Sequence, residues 1–239
     1  MKALILNSGL GRRMGVLTSE HPKCMTDISA TQSILSRQLE LLAAAGIKEV
    51  VMTTGYFDRV LVEYCDSLGL PLEYTFVKNP IYDQTNYIYS IYCARDILRD
   101  QDVVLMHGDL VFTPEVLDKV LKNGTSCMTV SSTLPLPEKD FKAVIGDGLI
   151  KKVGIEFFDS ALAAQPLYKL EKKDWNIWLD EICAFCESDN RKCYAENAFN
   201  QVSNRCLIYP LDVKDELCGE IDTPEDLEIM SAKIAALEK

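Results

Sequence analysis

The feature that most constrains the fold of this chain is a regular alternation of two hydrophobic patterns along its first 133 residues. Short runs of apolar and β-branched residues predict strands at 2–7, 48–55, 72–79, 102–109 and 126–133. Segments of helical periodicity lie between them, at 33–46, 57–69, 86–98 and 114–123. Repeated strand–helix–strand units fold into a parallel sheet with helices on both faces. The alternation therefore predicts an α/β, Rossmann-like core, in which ligands bind at the carboxyl ends of the strands.

The later sequence predicts a smaller mixed α+β elaboration of the same domain. Its elements are a hairpin at 141–156, helices at 170–188 and 195–204, strands at 206–213 and 218–222, and a closing helix at 223–239. Thr223 and Pro224 suit the N-cap and the first position of that last helix. The sheet is therefore expected to be mixed but mostly parallel, and we interpret residues 1–239 as a single domain.

The distribution of charge is uneven, which limits the possible partners. The formal net charge is −11, and such a surface repels nucleic acid and anionic membranes, so neither is an expected partner. Nevertheless, the stretch after the first strand carries Arg12, Arg13 and Lys23 and has no acidic residue before Glu20. A glycine-rich cationic turn of this kind can cradle phosphate groups. On its glycines alone, it could equally be a turn with solvated arginines.

Cysteine usage and the first residues indicate the compartment. The nine cysteines are an odd number, and residues 1–7 lead directly into a strand-like run without a signal-peptide pattern. No apolar run has the length of a membrane span. We therefore expect a cytoplasmic protein with reduced thiols. The CAFC motif at 183–186 allows a zinc site, but both histidines are remote in sequence, so buried structural cysteines are the favoured interpretation.

The whole cationic stretch is more specific than its glycines. It resembles the signature L-A-A-G-x-G-x-R…T…P-K of the sugar-phosphate nucleotidyltransferase superfamily. The matching residues, at the family spacing, are Leu6, Gly9, Gly11, Arg13, Thr18, Pro22, Lys23 and Met25. The departures are Asn7 and Ser8, which stand where the family usually has two alanines whose backbone contacts the nucleobase.

The resemblance extends along nearly the whole chain and is weakest at 134–195. It is greatest to the cytidylyltransferases that activate small phosphorylated headgroups, such as phosphocholine and phosphonates. The segment at 79–98 is similar to their N-x-x-Y…N-x-x-Y-S-L-Y pattern, with Asn86, Tyr89 and Ser90 matching. The HGD at 107–109 places Asp109, and the GEIDTPEDL at 219–227 places Asp222, at the two metal-binding positions of the family.

The resemblance implies a GT-A-like nucleotidyltransferase fold, an activity and a set of site residues. Arg13 and Lys23 would be catalytic, and Asp109 and Asp222 would bind Mg²⁺, although either aspartate could instead cap a helix. The residues that would bind CTP or another NTP are Leu6, Asn7, Ser8, Gly9, Gly11, Asn86 and Ser90. Residues 1–133 would then form the NTP-binding core, 134–213 the acceptor-binding elaboration or lid, and 214–239 the metal-binding strand end with its closing helix. A homodimer is possible.

The acceptor would be a small phosphate or phosphonate, and an ammonium group on it would call for aromatic and acidic side chains. The candidate acceptor-binding residues are Tyr89, Tyr168, Trp175, Glu196 and Asn197. The aromatic ones could equally belong to the core.

Two other functions remain open from the sequence. One is a sugar-1-phosphate nucleotidyltransferase that uses UTP, dTTP or GTP. The other is a non-catalytic regulatory protein that binds nucleotides, although the presence of all four charged residues at the expected spacing disfavours it.

Overall fold

The computed structural model describes residues 1–237, in which eleven strands and eight α-helices alternate as the sequence predicts for the first half of the chain. The strands are β1 Lys2–Leu6, β2 Glu49–Thr54, β3 Glu73–Lys78, β4 Val103–His107, β5 Leu110–Phe112, β6 Cys127–Ser131, β7 Lys142–Gly146, β8 Leu149–Gly154, β9 Ala161–Leu170, β10 Tyr209–Asp212 and β11 Cys218–Glu220. The helices are α1 Ile34–Ala44, α2 Asp58–Ser67, α3 Tyr87–Cys93, α4 Arg95–Leu98, α5 Pro114–Lys122, α6 Lys172–Glu187, α7 Ala195–Val202 and α8 Pro224–Leu237.

Nine of these strands form one mixed sheet, whose main order is β10-β6-β9-β4-β1-β2-β3. Along this order β10 and β6 are parallel, as are β4, β1, β2 and β3, whereas β9 runs antiparallel to both of its neighbours. The hairpin β7–β8 extends from β9, and β5 pairs with β11 in a separate two-stranded sheet. The mostly parallel sheet flanked by helices confirms the predicted fold class.

The sheet is covered on both faces, because its central strands are apolar on both sides. Ala3, Leu4 and Ile5 of β1 are fully buried. One face packs against α3, α6 and α7, and the other packs against α1 and α5. Strands buried on both faces have the continuous apolar runs that the sequence shows at 2–6 and 103–106. Their carboxyl ends therefore remain as the accessible edge of a rigid core.

The strand β9 is the main feature that the sequence does not predict. Residues 157–169 carry no predicted element, because ALAAQPLYKL combines three alanines, a glutamine and a proline, which do not form a typical strand pattern. In the structure, this segment pairs with both β4 and β6, and the register shifts between Met128 and Val130 at a bulge. Pairing on both edges outweighs its weak local propensity. A segment from the later half thus lies in the centre of the sheet.

Two of the predicted helices have their N-termini near the carboxyl ends of the strands. The predicted helix at 86–98 is divided at Ala94 into α3 and α4. The closing helix α8 begins at Pro224, as predicted, and the hydroxyl of Thr223 accepts a hydrogen bond from the backbone N–H of Asp226 at 3.2 Å. Within residues 1–237, no helix is both long and apolar enough to cross a membrane.

Candidate active site

Three adjoining cavities open at the carboxyl ends of β1 and β4. The cation cavity, about 300 Å³, is lined by Asn7, Gly11, Arg12, Arg13, Lys23 and Asp222, among others. The polar cavity, about 190 Å³, is lined by Ser8, Asn79, Thr85, Asn86 and Ser90, among others. The aromatic cavity, about 200 Å³, is lined by Tyr87, His107, Phe141, Tyr194, Asp140 and Glu220, among others. Asp109 lines all three, so it marks their junction.

A larger groove of about 860 Å³ lies between residues 134–137, 215–220 and α8, and it adjoins the aromatic cavity, with which it shares Asp140 and Glu220. None of the site residues predicted from the sequence lines it. Its size alone therefore does not make it the functional site, whereas the predicted catalytic, nucleotide-binding and metal-binding residues line the three smaller cavities.

The cationic loop has its shape because of Gly11. This residue has φ of 61°, and a Cβ atom there would lie 3.0 Å from Cβ of Lys23. Glycine adopts this left-handed conformation at little cost, and it also leaves room for the lysine. The Thr18 hydroxyl donates a hydrogen bond to the Gly11 carbonyl oxygen at 3.0 Å, which closes the loop on itself. The loop thereby brings Arg13 and Lys23 to the same cavity.

The structure brings together the four charged residues that the sequence predicts to act together. Nζ of Lys23 lies 2.7 Å from Oδ1 of Asp222 and also contacts Oδ2 of Asp109. A guanidinium nitrogen of Arg13 lies 2.8 Å from Oδ1 of Asp222. Burial disfavours the Lys23 ammonium, but the charges and hydrogen bonds of the two carboxylates outweigh it and raise the pKa of this lysine. Lys23 is therefore charged at neutral pH.

The site fits a divalent metal ion. Oδ1 of Asp109 is buried and has no hydrogen-bond partner among the described residues. An unpartnered carboxylate oxygen is costly to bury, and a hard divalent cation would satisfy it. Single ligand atoms of His107, Asp109 and Glu220 also lie within 4.8 Å of one another. The Lys23 ammonium contacts the carboxylates of both Asp109 and Asp222. The two predicted metal-binding aspartates therefore lie on either side of this ammonium group.

His107 and Glu220 line the aromatic cavity together with Asp109. Nδ1 of His107 lies 2.8 Å from Oε1 of Glu220. Burial disfavours the charged imidazole, but the hydrogen bond and charge of Glu220, with the charge of Asp109, raise the pKa of His107 to about 9. Burial and the nearby Asp109 raise the pKa of Glu220 to about 7. The carboxylates of Glu220, Asp109 and Glu196 all favour the charged imidazole of His107.

The polar cavity contains the two later nucleotide-binding candidates, Asn86 and Ser90. Asn79 lies behind them and uses its side chain internally, donating hydrogen bonds to the hydroxyls of Thr85 and Ser90, each at 3.0 Å. Oδ1 of Asn86 accepts a hydrogen bond from the backbone N–H of Tyr87 at 2.7 Å, so Asn86 also begins α3. The part of the wall that Asn79, Thr85, Asn86 and Ser90 form is thus uncharged, and its hydrogen bonds hold it in shape, whereas His107 and Asp109 bring charge to the side at the junction.

The aromatic cavity joins residues from distant parts of the chain. The ring centroids of Tyr87 and His107 are 4.9 Å apart, and those of Phe141 and Tyr194 are 5.0 Å apart in an edge-to-face arrangement. Tyr87 and Tyr194 are 5.8 Å apart. Acidic groups adjoin these rings, since Asp140 and Glu220 line the same cavity. Aromatic faces with nearby carboxylates suit a cationic group.

The candidate acceptor residues from the sequence do not line this cavity. Trp175 is fully buried and donates its indole N–H to the Leu98 carbonyl, so packing explains it. Tyr168 is also core, and its hydroxyl hydrogen-bonds Oε1 of Glu196 at 2.8 Å. Glu196 in turn contacts the Tyr87 hydroxyl from behind.

The other two candidates have structural contacts as well. The ring of Tyr89 stacks on Tyr92 with centroids 5.6 Å apart, and Oδ1 of Asn197 accepts the backbone N–H of Tyr194 at 2.9 Å. The aromatic residues that line this cavity are Tyr87, Phe141 and Tyr194. The sequence could suggest aromatic residues in general, but no local pattern distinguishes these three, because only the fold brings them together.

The cysteines show no metal centre. All nine are free, and Cys186 is buried. Burial raises the pKa of the Cys186 thiol to about 12, as expected for an unreactive core cysteine. Within the part of the chain that the structure describes, His107, Asp109 and Glu220 are the one candidate metal-binding group. Of the two cysteines in the CAFC motif, Cys186 is buried and Cys183 is half-buried.

The fold and the site define an α/β protein with a glycine-rich cationic loop facing a pair of carboxylates, an arrangement typical of the nucleotidyltransferases. The model of the MobA-like NTP transferase domain matches residues 3–134, and the chain belongs to this family. The resemblance inferred from the motifs is thereby confirmed. Nucleotidyltransferases of this family generally use a divalent metal ion.

Curated relatives match slightly more than half of the chain. The CTP:phosphoglutamine cytidylyltransferase of Campylobacter jejuni is 32% identical over 126 residues, which cover 51% of this chain and 48% of that protein. The CMP-5′-(3-aminopropyl)phosphonate synthase of Streptomyces rubellomurinus is 35% identical over 136 residues, covering 57% and 21% respectively. The chain thus spans about half or less of the length of these relatives.

The solved structures are similar over the full length. The CTP:phosphocholine cytidylyltransferase of Streptococcus pneumoniae superposes with a TM-score of 0.77 and 18% identity, covering 98% of both chains. At this identity the likeness establishes the fold. The later half, including β9 and the hairpin β7–β8, therefore belongs to the shared architecture.

Proposed function

We propose that this protein is a metal-dependent cytidylyltransferase that joins CMP from CTP to a small phosphate or phosphonate bearing an ammonium group. The observation that carries the proposal is the junction at Asp109. A cation cavity, a polar cavity and an aromatic–acidic cavity meet there, and they suit the triphosphate, the nucleoside and the acceptor of one transfer reaction.

The cation cavity supports the triphosphate role. Arg13 and Lys23 bring two positive charges into an otherwise acidic protein, and the backbone of the loop at 9–11 lines the same space. We assign Arg13 and Lys23 to the phosphates, Asp109 and Asp222 to the metal, and Leu6, Asn7, Ser8, Gly9, Gly11, Asn86 and Ser90 to the nucleotide. Mg²⁺ is the proposed metal, because all-oxygen carboxylate ligands and a triphosphate suit it.

The reaction is a displacement at the α-phosphorus of the nucleotide. An anionic oxygen of the acceptor forms the new P–O bond, the bond to the β-phosphate bridge breaks, and pyrophosphate leaves with the electron pair. A divalent metal ion, when bound, neutralises part of the triphosphate charge. Lys23 and Arg13 would stabilise the charge on the leaving group, and their ion pairs with Asp109 and Asp222 hold them at the site beforehand. The acceptor oxygen is already ionised near neutral pH, so the chain needs no general base.

The aromatic cavity supports an ammonium-bearing acceptor. Tyr87, Phe141 and Tyr194 present ring surfaces, and Asp140 and Glu220 supply negative charge beside them. The names of relatives point the same way, since they include aminopropylphosphonate, 2-aminoethylphosphonate and choline-phosphate enzymes. A sugar 1-phosphate would gain little from such a wall, which disfavours that alternative substrate.

The proposal is tested by measuring pyrophosphate release from each of CTP, UTP, GTP, ATP and dTTP with Mg²⁺ present. The acceptors are phosphocholine, phosphoethanolamine, 2-aminoethylphosphonate and 2-hydroxyethylphosphonate, its analogue without an ammonium group, together with glucose 1-phosphate. We expect release with CTP and the ammonium-bearing acceptors. Preference for a sugar 1-phosphate would support the sugar nucleotidyltransferase alternative, and no release with any pair would support a regulatory nucleotide-binding protein.

A further inference from the structure

Asn7 and Ser8 stand out because both are polar, buried and without partners. Asn7 is 9% exposed and Ser8 is 7% exposed. Nδ2 of Asn7 and Oγ of Ser8 are buried and make no hydrogen bond within the described residues 1–237. Most buried polar groups in proteins are hydrogen-bonded, and two consecutive exceptions need an explanation. At these positions, a pair of small apolar residues would avoid both unsatisfied groups.

The surrounding backbone keeps these two residues close to the strand ends. A Cβ atom on Gly108 would lie 1.6 Å from Oδ1 of Asn7, so glycine there allows the amide to pack against the end of β4. The backbone N–H of Asn7 donates to the carbonyl oxygen of Thr53 at 3.2 Å, which continues the pairing of β1 with β2. The two side chains are therefore held at the junction by their main chain.

The two residues serve different cavities. Consecutive side chains at a strand end point to opposite sides, and accordingly Asn7 lines the cation cavity whereas Ser8 lines the polar cavity. In the polar cavity, Asn79, Thr85 and Ser90 already hydrogen-bond one another. Apart from the junction residues His107 and Asp109, whose Nε2 and Oδ1 atoms also lack partners, the Ser8 hydroxyl is the polar group of this wall that has no partner within the described chain. In the cation cavity, the Asn7 amide adds an uncharged donor beside Arg13 and Lys23.

We propose that Asn7 and Ser8 bind the nucleotide through their side chains, with the Asn7 amide donating to a phosphate oxygen and the Ser8 hydroxyl hydrogen-bonding the base. This inference rests on the proposed function, because it takes the ligand to be a nucleoside triphosphate. Asn7 then contributes to affinity for any triphosphate, and Ser8 contributes to the choice of base. The nucleotide completes the hydrogen bonds that the protein by itself leaves unmade.

The test uses thermal shift and titration calorimetry with two probes, CTP and inorganic tripolyphosphate, each with Mg²⁺. For Asn7→Ala, we expect binding of both probes to weaken on the order of 10- to 100-fold, since a hydrogen bond to a charged group is lost. For Ser8→Ala, we expect CTP to bind about 3- to 10-fold more weakly and tripolyphosphate to bind unchanged, because that probe has no base. The preference for CTP over UTP also changes in Ser8→Ala alone.

A matched control separates binding from structural effects. Thr26 is 5% exposed, its hydroxyl also lacks a partner among the described residues, and it lines neither cavity. Thr26→Val should leave both titrations unchanged. Neither Asn7→Ala nor Ser8→Ala should lower the melting temperature of the ligand-free protein, since each removes an unsatisfied group.

The outcomes distinguish this inference from the proposed function. If the native protein binds both probes and the two variants bind them equally well, the side-chain role is overturned while the proposed function stands. A loss of ligand-free stability with unchanged affinity would also overturn it, because the side chains would then be structural. If the native protein binds neither probe, the proposed function fails and the inference fails with it.

Discussion

The proposed nucleotide side of the site, formed by the cation and polar cavities, differs from the proposed acceptor side, the aromatic cavity, in how the chain builds it. The nucleotide side comes largely from one stretch, residues 6–25, joined by Asn86, Ser90 and two aspartates. The acceptor side takes Tyr87 from α3, Phe141 from just before β7, Tyr194 from before α7 and Glu220 from β11. A site formed by one loop can be recognised as a motif in the sequence. A cavity whose lining residues come from four separate segments has no such motif, and each of its residues can change independently.

The largest expected effect is on the nucleotide side, from removal of the Lys23 charge. In Lys23→Met, kcat/KM for pyrophosphate release should fall about 100- to 1000-fold, because a preorganised cation at the leaving group is lost. The loss should be equal for every acceptor, which distinguishes it from changes in the aromatic cavity. Arg12→Met is the matched control, since Arg12 is exposed on the same loop and should cost far less. Similar losses in both variants would contradict a specific role for Lys23.

The His107–Glu220 pair should make the stability of the protein depend on pH. His107 has a folded pKa of about 9 against an ordinary value of 6.5, so its contribution is fully present below pH 6.5 and is lost as the pH rises through 9. The free energy of unfolding of the protein in chelator should decrease over that window by on the order of 3 kcal/mol. The pKa of Glu220 is raised to about 7, so the stability that this residue contributes is lost at lower pH than that of His107, as the pH rises from 4.5 to 7.

Chemical denaturation at pH 7, 8 and 9 measures this slope. His107→Gln, which cannot be protonated, should remove it above pH 7. An unchanged slope in that variant would show that a group other than His107 titrates in this range and causes the loss of stability.

A backbone change should damage the nucleotide side while sparing the acceptor side. In Gly108→Ala the new methyl group would overlap Oδ1 of Asn7 and lie 2.9 Å from the Leu6 carbonyl oxygen. We expect the free energy of unfolding to fall by about 1–3 kcal/mol, together with weaker CTP binding. Gly124→Ala is the control, because a Cβ there meets nothing within 4 Å. Denaturant melts of the two variants make the comparison, and equal stability would mean that Asn7 moves aside freely.

The smallest effect should separate acceptors by their charge. Tyr194→Leu keeps apolar bulk but removes a ring face, so kcat/KM for ammonium-bearing acceptors should fall about 3- to 30-fold, as expected for one lost cation–π contact. The rate with 2-hydroxyethylphosphonate, which has no ammonium group, should be unaffected. Phe158→Leu serves as the control, because Phe158 is 51% exposed and lies outside the cavity. Equal losses for acceptors with and without an ammonium group would remove the argument for an ammonium site.

The comparison also shows how far sequence reasoning extends. The alternating core, the closing helix at Thr223–Pro224 and the meeting of Arg13, Lys23, Asp109 and Asp222 were all predictable, because each depends on a local pattern or on a family motif. The central strand β9 was not, because its alanine-rich sequence becomes a strand only between β4 and β6. The acceptor candidates illustrate the same limit, since Tyr168 and Trp175 are aromatic but lie in the core.

The sequence by itself therefore determined the class of fold and the loop that lines the cation cavity. Hydrophobic periodicity and a contiguous glycine-rich loop are both properties of neighbouring residues. Only the tertiary structure decided which aromatic residues face the junction, and that Asn7 and Ser8 are buried without partners among the described residues. Burial and partnership are relations between residues distant in the chain, as between Phe141 and Tyr194. No local pattern encodes such relations, because packing of the whole sheet and its helices sets them.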